Sequence, residues 1–234
     1  MSQRTKSSGG SGSGSGSSSS GNGSSKSQTL IFDDGAVQFR LRLAVSLLSH
    51  RPLLIRNIRA QDLEAPGLRE NEASFLRLLD AMTNGSKIEI NATGTQLRFK
   101  PGVLLGGTIE HHCPVMTKED LDILMEDNNN NSDDVSDDPS MKSSRSIGWY
   151  LEGILPLAAF GKDPLSIKFT GITDGCAHID PSPDYLKAAV MPLFQHFGLG
   201  VVSEHEDPML APKSPSIRVL KRGAAPLGGG VGKQ

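Results

Sequence analysis

The sequence predicts an α/β fold made of two tandem β-α-β-α-β-β units, with helices packed on one face of mixed four-stranded sheets. Three observations carry this. Leu68 to Asn84 has helical spacing, with Leu68, Phe75, Leu76, Leu79 and Met82 apolar and the charges mainly between them. Two short alternating runs follow, Lys87–Ala92 and Thr95–Lys100, joined by Thr93-Gly94 as a hairpin turn. The succession helix, strand, helix, strand, strand then returns between residues 147 and 221 without visible sequence identity.

The elements follow in order. Residues 1–28 are Ser/Gly low complexity, unable to bury enough apolar surface to offset the entropy of ordering, and read as a disordered tail. A targeting or phosphorylated segment is the functional alternative there. Leu30–Phe32 is a short strand and Asp33-Asp34-Gly35 a turn. Gln38–His50 repeats Phe39, Leu43 and Leu47 at helical spacing, although Phe39, Leu41, Leu43 and Val45 also alternate as a strand would. Pro52–Ile58 is the next strand, and Pro66-Gly67 a turn. Asn84-Gly85 is expected to cap the Leu68–Asn84 helix, because both residues tolerate a left-handed backbone. Pro101-Gly102 turns into the apolar run Val103–Leu105, closed by Gly106-Gly107. The first unit spans 29–115 and ends near Cys113.

Residues 116–146 break the pattern. Glu119, Asp120, Asp122, Glu126 and Asp127 precede four asparagines and four further aspartates, a density of like charge that reads as a disordered acidic insertion. Calcium-loop spacing is lacking, with no Glu at the twelfth position. Ser136 and Ser140 lie in acidic surroundings, which composition cannot turn into a phosphorylation site. The second unit, 147–234, holds a helix at Trp149–Ala159, a strand at Leu165–Thr170, and a helix at Pro183–Phe197. Tyr185/Leu186, Ala189/Val190 and Leu193/Phe194/Phe197 are the expected buried stripe of that helix. Val201–Glu206 and Ser216–Lys221 are expected strands.

Composition excludes several classes. A net charge of −2 over 234 residues means that nucleic-acid binding needs a local basic patch. Two cysteines, Cys113 and Cys176, make no disulfide framework. No apolar run reaches 18 residues, so no membrane-spanning helix is expected, and the N-terminus has no signal-peptide core. His111-His112-Cys113 lacks the second ligand pair that a structural zinc requires, and adjacent strand residues point to opposite faces. No metal and no cofactor are expected.

One set of motifs is specific in its order and spacing. Ile58-Arg59-Ala60, Pro66-Gly67-Leu68, Ser74-Phe75-Leu76-Arg77-Leu78, Thr83-Asn84-Gly85-Ser86, Thr93-Gly94-Thr95, Pro101-Gly102, Gly106-Gly107 and His112-Cys113-Pro114 succeed one another. In the second half come Gly171-Ile172-Thr173, Met191-Pro192, Phe197-Gly198, Lys221-Arg222-Gly223 and Pro226-Leu227-Gly228-Gly229-Gly230. Over about residues 30–230 this resembles the RNA 3′-terminal phosphate cyclase superfamily. The match is closest to its cyclase-like branch, the nucleolar proteins of small-subunit rRNA processing. The resemblance also favours helix over strand at Gln38–His50. It implies a chain truncated before the family's inserted domain and third repeat.

The resemblance further implies what the chain does. Cyclases take AMP from ATP onto a histidine near the family's C-terminus, and none of His50, His111, His112, His178, His196 and His205 matches it. Their Glu-Gly-Gly-Gly-Gln turn is replaced by Asp33-Asp34-Gly35-Ala36-Val37, where Cβ atoms and carboxylates oppose the approach of phosphate. Asn71-Glu72 stands where cyclases carry Gln-His. The implied function is a non-catalytic ribosome-biogenesis factor of the small-subunit processome in the nucleolus. Its implied partners are a large nucleolar GTPase, pre-rRNA and snoRNP. The alternatives are an ATP-dependent cyclase and an inert truncated fragment. Arg40 and Arg59 match family arginines and, with Arg69, Lys100, Lys221 and Arg222, are the expected anion- or RNA-binding residues, since the guanidinium fork suits phosphate. The competing reading is a solvated face with ordinary ion pairs such as Arg69–Glu72 or Arg77–Asp80.

Overall fold

The computed structural model describes residues 28–115, 144–174, 180–198, 216–224 and 230–233. The first unit begins with β1 (Leu30–Phe32), α1 (Phe39–Ser49) and β2 (Leu53–Ile55), with β1 and β2 parallel as a helical crossover requires. His50, in the left-handed region at φ 52°, ends α1 and donates its backbone N–H to Leu47 and Ser46 carbonyls. After α2 (Glu70–Met82) the hairpin β4 (Lys87–Ile90) and β5 (Leu97–Lys100) completes a four-stranded sheet in the order β1-β2-β5-β4. Gly94, at φ +68°, makes the hairpin turn that a Cβ would strain. Along β5, Leu97 and Phe99 are buried while Arg98 and Lys100 are exposed. This period of two leaves one face for the helices, which lay Leu43, Leu47, Phe75, Leu79 and Met82 on it.

The expected cap at Asn84-Gly85 does not form. The chain leaves α2 at Thr83 in extended conformation, and Thr83–Asn84 (β3) pairs antiparallel with Val103–Leu104 (β6) in a two-stranded ribbon. A β partner for Thr83 wins over one more helical turn, and Gly85 falls in the turn beyond.

The second sheet repeats the first. Its strands are β7 (Gly107–His112), β8 (Leu165–Gly171), β9 (Arg218–Lys221) and β10 (Gly230–Lys233), with helices α3 (Ile147–Ala158) and α4 (Pro183–His196). The order β7-β8-β10-β9, parallel once and antiparallel twice, is that of β1-β2-β5-β4 strand for strand. Two boundaries differ from expectation. β7 pairs with β8 rather than with the first sheet, so the change of sheet comes before Gly107 and not at 115. The residues after the glycine run, given no strand in the sequence reading, form β10 between β8 and β9, and this completes the expected four-stranded sheet.

The expected stripe of α4 is only partly buried. Leu186 is in the core and Val190 and Phe194 pack against it, but Tyr185, Leu193 and Phe197 face outward. The expected tail at 1–28 (all but its last residue), most of the acidic segment at 116–146, and the strand at Val201–Glu206 lie outside the described residues.

The two units meet through α1 and α2 on one side and β7 and α3 on the other. Tyr150 is wholly buried there and donates its hydroxyl to the Asn71 carbonyl at 3.5 Å. Ser74 on α2 hydrogen bonds with His111 on β7 at 3.0 Å. Gly153 permits the approach, since a Cβ on it would come within 2.7 Å of the Phe75 ring.

Candidate RNA-binding cleft

A cleft of about 440 Å³ opens where α1, the start of α2 and α3 converge. Arg40, Arg69, Asn71, Glu72, Arg145, Trp149 and Glu152 supply its chemistry. Helical spacing positions them. Arg40 shares α1 with Phe39 and Leu43, which anchor the helix in the core. Arg69 and Asn71 open α2, and Trp149 and Glu152 lie three apart on α3, on one side of that helix.

Arg40 is held on three sides. Its Nη1 donates to the Trp149 carbonyl, its Nη2 reaches Glu152 Oε2 at 2.8 Å, and its guanidinium carbon lies 4.5 Å from the centre of the indole. Burial lowers the Arg40 pKa from its ordinary value and the Glu152 carboxylate opposes that shift. Arg145 donates from Nε to both oxygens of Asp180 at 3.0 Å, and the same buried carboxylate accepts the Ser146 backbone N–H at 3.0 Å. Its guanidinium also lies 5.6 Å from the Trp149 ring.

Arg59 is adjacent but spoken for. It adopts φ +42°, an uncommon backbone for a side-chain-bearing residue, and donates from Nε to the Gly67 carbonyl at 2.7 Å and from Nη2 to Glu72. Glu72 also accepts the Arg69 backbone N–H at 2.9 Å, closing the first turn of α2. The Arg69–Glu72 side-chain pair that the competing solvated-face reading would place here is replaced by Arg59–Glu72. Two buried polar atoms of the cleft have no partner among the described residues: Arg69 Nε and Asn71 Oδ1. Asn71 is only 4% exposed, so its side-chain amide oxygen carries an unmet demand for a donor.

Of the expected site residues, Arg40 and Arg69 come together in the cleft and Arg59 stands behind Glu72. Lys100 does not join them, lying exposed opposite Lys87 in the hairpin. Lys221 ends β9, and Arg222 pairs with Asp184 at 2.8 Å, both outside the cleft. Arg145 was missed by sequence reasoning. Its only signal in the sequence is its place just before the Ser146 cap of α3, after the acidic run.

The acidic turn is neutralised locally. Asp34 accepts from Arg42 at 2.6 Å, which holds its carboxyl below the ordinary value, and Asp33 pairs with Arg56 at 3.4 Å. His111 is pushed down to about 4, first by burial and then by His112 and Arg77, so its ring is neutral at pH 7. Burial pushes the Cys113 thiol up, away from reactivity. Among the described residues no group of three or more His, Cys, Asp or Glu side chains is placed to hold a metal ion. Arginine donors, an indole face and an unpaired amide suit a phosphate that carries a hydrogen-bonding group, as a nucleotide does.

Residues 31–233 match the family model described as RNA 3′-terminal phosphate cyclase. The RNA 3′-terminal phosphate cyclase-like proteins of Mus musculus and Homo sapiens are 43% and 42% identical over 191 residues, covering 82% of this chain and 40% of each relative. The rRNA processing protein RCL1 of Saccharomyces cerevisiae is 36% identical over 196 residues, covering 84% of this chain and 41% of that protein. The chain thus spans about 40% of the length of the curated relatives it matches.

Proposed function

The chain belongs to the RNA 3′-terminal phosphate cyclase family, and we propose that it serves ribosomal RNA processing by binding RNA in the arginine cleft, without forming cyclic phosphate ends. The carrying observation is the pair of unpartnered buried atoms, Arg69 Nε and Asn71 Oδ1, beside Arg40, Arg145 and Trp149. A donor and an acceptor left unpaired in one cleft suit a nucleotide, whose phosphate accepts from Arg69 and whose base or sugar donates to Asn71. The yeast relative's name supports rRNA processing as the setting. Action on 18S pre-rRNA within the small-subunit processome, a place in the nucleolus, and partnership with a large nucleolar GTPase and snoRNP extend that reading.

The non-catalytic part of the proposal rests on the turn at Asp33-Asp34-Gly35. Its carboxylates pair with Arg56 and Arg42, so side-chain-bearing residues rather than open glycine backbone occupy the turn where the cyclase reading needs a phosphate cradle. The test is twofold. Single-stranded RNA should bind the chain with an affinity that falls steeply with salt. Incubation with labelled ATP and a 3′-phosphorylated RNA should leave the protein unlabelled and the RNA end linear. Covalent labelling at any histidine would restore the cyclase reading.

A further inference from the structure

We infer that Glu152 sets the selectivity of this cleft, its carboxylate occupying on Arg40 the place that an incoming phosphate would take. This rests on the proposed function of the cleft and adds a residue to it. Three carboxylates neutralise three arginines there. Asp180 and Glu72 are buried, with side chains 1% and 9% exposed, and each also accepts a backbone N–H, from Ser146 and Arg69 respectively. Those two cannot leave without stranding buried donors. Glu152 differs. Its side chain is 53% exposed and its only described contact is Arg40 Nη2 at 2.8 Å.

Arg40 itself stays in place when Glu152 leaves. The Trp149 carbonyl and indole hold the guanidinium from two other sides. Glu152 can therefore rotate into water and return, which makes it an internal competitor for any anion. A bare anion exchanges one acceptor for another on Arg40 and can accept from Arg69 Nε, but brings no base or sugar donor to Asn71 Oδ1. A nucleotide adds that donor, and so displaces Glu152 where inorganic phosphate does not.

Trp149 is the single tryptophan of the chain, so its fluorescence reports on the cleft directly. A short 5′-phosphorylated oligoribonucleotide, and inorganic phosphate alone, are titrated into the wild-type chain, Glu152→Gln, Arg69→Ala and Glu89→Gln. Among the described residues Glu89 pairs only with Arg98, on the exposed hairpin, and controls for net charge. Glu152→Gln should bind the oligonucleotide about three- to fivefold tighter at low salt, the yield of releasing one exposed ion pair, with the gain fading at high salt. Inorganic phosphate should become detectable only in that variant. Glu89→Gln should match wild type. Wild-type affinity in Glu152→Gln, or a loss accompanied by a lower melting temperature, would make Glu152 a structural residue and overturn the inference. If wild type binds and Arg69→Ala weakens it while Glu152→Gln changes nothing, the cleft function stands and this inference fails. If no chain binds RNA, both fail.

Discussion

The phenyl ring of Phe75 on α2 meets the indole of Trp149 on α3 edge-on, with centroids 5.6 Å apart and planes at 73°. That contact joins the two units, and Trp149 also lines the cleft, so stability and binding share a residue. Tilted contacts from Tyr150 to Phe75 and to Phe169 continue the aromatic packing into the second sheet. Phe75→Ala should cost about 3–5 kcal/mol, the usual range for a buried aromatic. Urea unfolding with Trp149 fluorescence checks it, and a loss below about 1 kcal/mol would mean that the units hold together by other means.

Gly153→Ala tests the same interface from the other side. Its Cβ would come within 2.7 Å of Phe75 and 3.2 Å of the Arg40 side chain. The expected outcome is destabilisation by about 1–3 kcal/mol from overpacking, measured in the same titration.

Asp180 is 6% exposed and ties the start of α3 to the loop before α4 by accepting from Arg145 and the Ser146 N–H. Asp180→Asn should lower stability by about 3 kcal/mol, because it leaves the Arg145 charge unpaired. It should also weaken RNA binding through loss of Arg145 orientation. Unfolding curves and RNA titrations on the one variant separate the two effects.

His111 supplies a pH dependence. Its pKa in the folded chain is about 4 against an ordinary 6.5, so the unfolded chain binds the extra proton first. The stabilisation is complete above pH 6.5 and falls as pH drops from 6.5 to 4, after which this group contributes no further change. Partial exposure to solvent discounts the full shift to about 2 kcal/mol. Melting temperature measured across that window should fall in wild type and stay flatter in His111→Asn, which retains a partner for Ser74.

Much of this was legible in the sequence, and the failures share a cause. The amphipathic stripe of α2 and the alternation of β5 are local signals, and both elements formed where the pattern put them. The pairing of β7 with β8 and the interior place of β10 are decisions between distant strands, which no local period records. The same holds for the site. Arg40 was legible as a family position, but the partner of Arg59 is Glu72, 13 residues away, and that of Arg145 is Asp180, 35 residues away. Which arginine keeps a nitrogen without a partner depends on those distant choices. The sequence set Arg59 with Arg40 as a family match and Arg69 beside them, whereas in the structure Arg59 is tied to Glu72 and Arg69 Nε has no partner among the described residues.

Helix α1 carries a second apolar face. Val37 before it and Leu41, Val45 and Leu48 along it are 41–55% exposed, at spacings that align them on one side. Leu41→Lys with Val45→Lys should leave the melting temperature nearly unchanged and reduce self-association. Light scattering at increasing protein concentration reads that outcome, and a large loss of stability would mean that the face is covered in solution.

The central claim is that Arg69, whose buried Nε lacks a partner among the described residues, holds RNA in the cleft, and Arg69→Ala tests it most directly. Because Arg69 Nε has no partner among the described residues, its removal should leave the melting temperature close to wild type. It should weaken single-stranded RNA binding by about tenfold or more, the worth of a hydrogen bond to a charged group, and flatten the salt dependence. Arg69→Lys should fall between the two, keeping the charge and losing the fork. Binding by Arg69→Ala at wild-type affinity and with the wild-type salt slope would contradict the account and place the RNA elsewhere.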